Sequence, residues 1–259
     1  MAAILLCCAS AAAAAEEQSP ICADRPGRSS QSCTVPAGHF QIESSLADGT
    51  LDRNDGERDT ALSLGQMDFK YGLDERTHVD IGIAPWTRVR SRFGSAHDSA
   101  SGFGDVLAMV KHNVSQTNSP LQVAVSPFVK VPTAKRPIGN RRLEAGLVVP
   151  ISYAIGQSPF SINATPEADW AADADGHGHH VTMVQVANLG WQVTPKLNVS
   201  GEIWGQWDWD PAGTTRQASA DGAVAYLVRN DLQLDAGFNI GLNRVTPDLD
   251  LYVGIAKQF

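Results

Sequence analysis

The 259-residue chain carries 20 Lys and Arg against 28 Asp and Glu, a formal charge of −8 with no basic run. That balance excludes phosphate neutralisation as a mode of binding, so no nucleic-acid partner is expected. No run of roughly 18 apolar residues follows the N-terminal region, so no transmembrane helix is predicted.

Met1 to Ala15 reads MAAILLCCASAAAAA, an apolar stretch ending in small residues ahead of Glu16 and Glu17. This is the pattern of a secretory signal peptide with an A-x-A-like cleavage site, assigned to residues 1–15. The first basic residue is Arg25, so the positive n-region is absent and a start a few codons upstream is expected. A lipid-modified cysteine needs a small residue before it, whereas Cys7 follows Leu6 and Cys8 follows Cys7, which argues against lipidation. After cleavage Cys22 and Cys33 remain, and two thiols in an exported chain are expected to pair. The bridge would close a small loop holding Pro26 and Gly27 ahead of the first strand. A redox pair usually has two residues between its cysteines, and here there are ten. Residues 16–37 are read as a periplasmic segment and 38–259 as the barrel.

From His39 onward apolar and polar residues alternate. Phe40 and Ile42 interleave with Gln41, Glu43 and Ser45; Val79, Ile81 and Ile83 with His78, Asp80 and Gly82. The pattern returns at Val123–Val129, Leu143–Ile151, Phe160–Ala164, Leu197–Ile203, Leu232–Ile240 and Leu249–Phe259. Four segments are less regular: Thr60–Tyr71, Gly102–Asn113, His180–Val193 and Arg216–Val228. Gly65, where the second strand changes phase, is placed to host a bulge. Period two over segments of about ten residues predicts about 12 strands. Short turns near 73–75, 116–119, 157–158, 194–196 and 229–231 alternate with longer polar loops at 47–59, 91–101, 132–141 and 171–179. Two further short loops are expected near 211–214 and 244–247. Both termini then fall on the turn side. The fold class is all-β, a transmembrane antiparallel up-and-down barrel with short periplasmic turns and longer external loops.

A twelve-stranded lumen is too wide to fill easily with aliphatic side chains. Here the alternate face carries Glu43, Asp80, Glu144, Glu167, Glu202, Asp221 and Asp235, which suits a wet interior and a lipid-facing exterior. Closure removes the unpaired edges that hydrocarbon would penalise. Trp86, Trp170, Trp191, Trp207 and Trp209 fall near strand ends, where interfacial aromatics belong. A soluble lipocalin-like barrel or sandwich is the less favoured reading.

The segment ICADRPGRSSQSCTVPAGHFQIES, Ile21 to Ser44, resembles the N-terminal signature of an outer-membrane family named "putative MetA-pathway of phenol degradation". MDFKYGLDERTHVDIGIAPW and SGFGDVLAMVKHN resemble its strand–turn–strand and Gly-Phe-Gly-Asp elements. Phe259, ending YVGIAKQF, resembles the C-terminal signal read by the outer-membrane assembly machinery, with Lys257 departing from the expected apolar residue. The resemblance covers most of the mature chain. It implies a transporter-like barrel in a Gram-negative outer membrane and no catalytic residues.

Taken as lumen-lining, the charges divide between two walls. Arg88, Arg90, Lys130 and Arg142 lie toward the loop end of strands three, five and six, with Glu144 on the sixth. Glu167, Asp169, Glu202, Asp221 and Asp235, with Asp208, line strands seven to eleven. Such a transverse field would orient dipolar solutes and select by charge; the alternative is that these charges pair and plug the barrel. Lys135, Arg136 and Arg141 are expected to contact lipopolysaccharide phosphates. His177, His179 and His180 within one loop make a weak metal motif, so neither metal nor cofactor is expected. Trp204 points inward, either to stack a planar solute or to fill a constriction. Glu167 and Asp169 are read as solvated wall residues rather than an acid–base pair.

The sequence thus points to a non-enzymatic, porin-like channel passing small solutes passively, with aromatic or hydrophilic metabolites as the candidates. Its alternatives are an outer-membrane lipid hydrolase with a Ser/His pair on the outer surface, and a non-conducting barrel plugged by salt bridges or by the Cys22–Cys33 segment.

Overall fold

The computed structural model describes residues 20–54 and 56–259; the expected signal peptide lies outside the described residues. Fifteen β segments follow in order: β1 (Phe40–Asn54), β2 (Glu57–Asp74), β3 (Thr77–Ile83), β4 (Trp86–Phe93), β5 (Ala96–Gly102), β6 (Val106–Asn113), β7 (Leu121–Val131) and β8 (Glu144–Val148). They continue with β9 (Ile151–Ala154), β10 (Phe160–Ala172), β11 (His179–Thr194), β12 (Leu197–Asp208), β13 (Thr215–Arg229), β14 (Leu232–Gly241) and β15 (Leu249–Gln258). β3 and β4 form one strand broken at Ala84–Pro85, β5 and β6 one broken at Phe103–Asp105, and β8 and β9 one broken at Val149–Pro150. The wall therefore has twelve antiparallel strands. β1 pairs with both β2 and β15, which closes the sheet. Phe259 donates its N–H to the Phe40 carbonyl (2.7 Å), so the first and last strands meet at the turn end.

The burial pattern is inverted relative to a soluble protein. The most deeply buried large side chains include Lys70, Lys111, His78, Gln41 and Glu43, while Ile203, Leu251 and Leu189 are more than half exposed. The buried apolar cluster amounts to Ile21, Ala23 and Ala256, with Leu227 against it. A monomeric soluble protein rarely exposes a contiguous apolar face of that kind. A closed barrel lets it meet lipid while every ladder hydrogen bond stays within the sheet. Trp191 at the turn end and Trp170, Trp207 and Trp209 at the loop end are all exposed, two aromatic belts at the two interfaces.

Two of the expected loops are strands. Residues 47–59 and 91–101 are largely ladder-paired, forming the tall β1–β2 and β4–β5 hairpins. Their rows pair Arg53 with Arg58 and Arg92 with His97. Such rows are polar on both faces, so they read as loop although the backbone stays extended.

A shared irregularity crosses these strands and reverses which face is apolar. β1 shifts register against β15 between Ser45 and Ala47, and Gly65 adopts φ +64° on β2. Below it Lys70 is buried; above it Ser63 is buried and Leu62 and Leu64 are exposed, so the inward parity changes from even to odd. On the neighbouring strand Asp80 faces inward below the Ala84–Pro85 break. Above the break it is Thr87 that meets Ser63, hydroxyl to hydroxyl at 3.0 Å. Bulges re-aim side chains in this way.

Candidate functional site: the lumen and its plug

Residues 20–38 run inside the barrel. Whereas the sequence reading leaves 16–37 outside it, Ile21 donates its N–H to the Asn230 carbonyl at the turn end (2.7 Å), and the chain then rises into the lumen. It turns at Gly27 and descends until Gly38 bonds the Gly72 carbonyl (2.9 Å), again at the turn end. Gly27 has φ +90°, and a Cβ there would stand 2.8 Å from the Glu202 carboxylate, so both backbone and space demand glycine. A disulfide joins Cys22 to Cys33 across the two limbs, with Cα atoms 6.1 Å apart.

The plug is held by charge. Asp24 accepts from Lys70 Nζ (2.6 Å) and Lys111 Nζ (2.7 Å), and Lys70 also bonds Glu43, whose carboxylate receives the Asp24 and Arg25 backbone N–H groups. Arg25 pairs with Asp235 at 2.8 Å and donates to the Ser45 hydroxyl at 3.0 Å. Gly254 makes room for it, since a Cβ there would lie 2.2 Å from its guanidinium. Arg28 pairs with Asp250 (3.1 Å), approaches Asp221 (3.6 Å) and lies over the Trp204 ring, 4.4 Å from its centroid. Glu202 accepts the Arg28 and Ser29 N–H groups at 2.8 and 3.2 Å. Val35 donates to His78 Nδ1 at 3.1 Å on the returning limb. Burying any of these charges without a partner would cost several kcal/mol.

Each site residue expected from the sequence can be placed against this frame. Glu202, Asp221 and Asp235 face inward and hold the plug. Trp204 also faces inward, but its ring is covered by Arg28. Glu167 and Asp169 share the inward row of β10, above the plug; neither forms an ion pair among the described residues. Lys130 and Glu144 are paired across β7 and β8, and Glu144 also accepts from Ala172 N (2.9 Å). Arg142 precedes β8, and Arg142 and Arg136 both direct their guanidinium groups toward Gly176 in the next loop. Arg88 and Arg90 are corrections. They lie beyond the phase reversal, in cross-strand register with Leu62 and Thr60, and face outward. Of the expected basic wall, Arg88 and Arg90 thus leave the lumen and Lys130 is engaged by Glu144, while the plug's own Arg25 and Arg28 face the carboxylates. Lys70, Lys111 and the plug arginines escaped the sequence reading; the signal available was a lysine at an inward position of each of two strands.

Metal-ligating geometry occurs at the loop-side mouth. One ligand atom each from Asp173, His180 and Asp210 lies within 4.8 Å of the others. His180 Nδ1 is 2.9 Å from Asp173 and its Nε2 is 2.8 Å from Asp208. The Asp210 carboxyl is held below its ordinary pKa by the N–H groups of Ala212 and Ala174. Of the three histidines in that run only His180 takes part; His179 stacks on Trp170 at 3.6 Å.

Free space remains on both sides of the plug tip. On the turn side a cavity of about 260 Å³ separates the plug from the β10–β14 wall, lined by Gln31, Asn163, Asn188, Asn198 and Gln233 among others. On the loop side a cavity of about 370 Å³ is lined by Asp52, Asp59, Val89, Ala100, Pro137 and Pro247 among others.

A family model described as putative MetA-pathway of phenol degradation matches residues 23–256. No curated protein matches the chain. Among solved structures, the COG4313 outer membrane channel from Pseudomonas putida F1 superposes with a TM-score of 0.74 at 15% identity, covering 91% of this chain and 99% of that one. The translocator domain of autotransporter NalP from Neisseria meningitidis gives 0.54 at 12% identity, covering 87% and 90%. The β domain of the Bordetella autotransporter Brka gives 0.52 at 9% identity, covering 87% and 100%. At these identities the likeness is one of fold, an outer-membrane barrel.

Proposed function

The chain belongs to the putative MetA-pathway of phenol degradation family, and from that premise we propose that it is a passive outer-membrane channel for small solutes, constricted by its N-terminal plug. The observation that carries this reading is the polar cavity of about 260 Å³ left between the plug and the β10–β14 wall. A barrel sealed by its own side chains would leave no such gap beside the constriction. The lining is rich in amides that donate and accept, with Arg25, already paired to Asp235, and Lys196 as its charged members, and the surrounding wall carboxylates disfavour anions. Small neutral solutes, including hydroxylated aromatics of the size of phenol, suit that passage. The COG4313 protein of the same fold is named an outer membrane channel, in keeping with this reading.

The side chains proposed to meet solute are Glu167 and Asp169 on the loop side and Asn163, Asn188 and Asn198 on the turn side. Export by the N-terminal signal peptide and delivery to the assembly machinery through Phe259 belong to the same proposal. The lipid-hydrolase reading gains no support, because among the described residues no histidine ring nitrogen hydrogen-bonds a serine.

Reconstitution in planar bilayers tests the proposal. Discrete conductance steps, with liposome swelling by a neutral aromatic of phenol size, are the expected result. A folded barrel giving neither conductance nor solute flux would establish the plugged, non-conducting alternative.

A further inference from the structure

The phase reversal places a ladder of arginines on the outside of the barrel. Successive outward rows across β2 and β4 read Leu64 and Trp86, then Leu62 and Arg88, then Thr60 and Arg90, then Arg58 and Arg92. β1 extends the upper two rows with Leu51 and Arg53, and β5 supplies Ser99 and His97. The surface thus passes from lipid-facing apolar to wholly basic within three rows, a rise of roughly 20 Å at strand spacing. Arg58, Arg88, Arg90, Arg92 and His97 line an external groove of about 560 Å³.

Among the described residues these guanidinium groups have no carboxylate partner. The arginine ion pairs among the described residues involve Arg25, Arg28, Arg53 and Arg229, and none of the four in the groove. Of the nearby acids, Glu57 accepts from Ser91 and Asp59 lines the inner cavity; Asp98 borders both that cavity and the groove but forms no ion pair with an arginine there. A chain with net charge −8 has acidic groups to spare, yet among the described residues none of these four like charges is ion-paired to one. Crowding of that kind is unfavourable until an anion joins it, and arginine forks match phosphate oxygens in bidentate geometry. The groove opens where the apolar band ends, the level at which lipid headgroups lie.

We propose that Arg58, Arg88, Arg90 and Arg92 form a binding site for the phosphate groups of a phosphorylated glycolipid in the outer leaflet, its acyl chains lying against Leu62, Leu64 and Trp86. The inference rests on the outer-membrane placement of the barrel but not on whether the barrel conducts. It also moves the lipid contact away from Arg136, whose guanidinium turns toward Gly176.

The test is a binding titration of the purified, detergent-folded barrel, read by native mass spectrometry. Its arms are bis-phosphorylated lipid A, the same lipid dephosphorylated, phosphatidylglycerol and inorganic phosphate. The wild type should retain lipid A in preference to the other three. Arg90→Gln with Arg92→Gln should weaken it by about tenfold per lost fork, ~1.4 kcal/mol each. Arg90→Lys with Arg92→Lys, which keeps charge but not the fork, should fall between. Unchanged affinity in a folded R90Q/R92Q variant would overturn the site, as would equal binding of the dephosphorylated lipid or equal competition by phosphatidylglycerol. Conductance of R90Q/R92Q, measured in parallel in phosphatidylcholine bilayers, should match the wild type. A barrel that never conducts but binds lipid A would leave this inference standing while ending the channel reading.

Discussion

The turn-side and loop-side halves of the lumen are built from the same strands but balance their charges differently. In the turn-side half almost every buried charge has a partner on the plug: Asp24 between Lys70 and Lys111, Arg25 against Asp235, Arg28 near Asp221 and Asp250. In the loop-side half Asp52 faces Asp59 across the sheet and Glu167 shares a row with Asp169, with Lys130 already engaged by Glu144. One half is an ion-paired closure; the other is an acidic vestibule. A protein can leave carboxylates unpaired where water reaches them, whereas the crowded half needs counter-charges to exist at all.

Four experiments probe that contrast, the strongest first. Deleting residues 20–36 should raise single-channel conductance several-fold, since it removes the constriction and lets water take the place of the plug's counter-charges while the strand ladder stays closed; an unchanged trace would mean the plug does not limit flow. Asp24→Ala should come next. It leaves Lys111 without a carboxylate partner while Lys70 keeps Glu43, a loss of about 3–5 kcal/mol for a broken buried pair, and should expose Arg25 and Arg28 to trypsin in the folded barrel. Replacing Cys22 and Cys33 by serine removes a staple on a loop of roughly ten residues, worth about 3 kcal/mol of chain constraint. Brief opening events should become more frequent, and reductant should reproduce them in the wild type only. The smallest change is expected from Glu167→Gln with Asp169→Asn: thermal stability within about 0.5 kcal/mol of wild type, but a reversal potential in a salt gradient displaced toward zero as cation preference weakens.

Much of the wall was legible because lipid imposes a simple rule. Residues such as Leu251 and Val253 must be apolar on one side only, and that alternation survives without knowledge of partners. The plug stood in the sequence only as an alternative, a barrel closed by the Cys22–Cys33 segment, and its contacts were not legible. Arg25 finds Asp235 across 210 positions of sequence, and nothing local in ICADRPGRSSQSC distinguishes a segment inside a barrel from one outside. Arg88 and Arg90 were misplaced for another reason. One irregularity at Gly65 and its neighbours reverses every later side chain on those strands, the sensitivity expected of a period-two structure. Lys70 and Lys111 were visible as letters but carry no mark of burial; only Asp24, brought in by the plug, makes their position intelligible.

The plug enters and leaves through a single mouth, with Ile21 and Gly38 both anchored at the turn end. Nothing needs to be threaded past the seam between β1 and β15. The cylinder can be completed first and the stopper seated afterwards, as a cork on a short string is pushed into a bottle. The bond between Cys22 and Cys33 makes that cork a closed ring, so it goes in or out as one body. Oxidation of this pair in the periplasm, ahead of insertion, would present the barrel with a finished stopper rather than a loose tail.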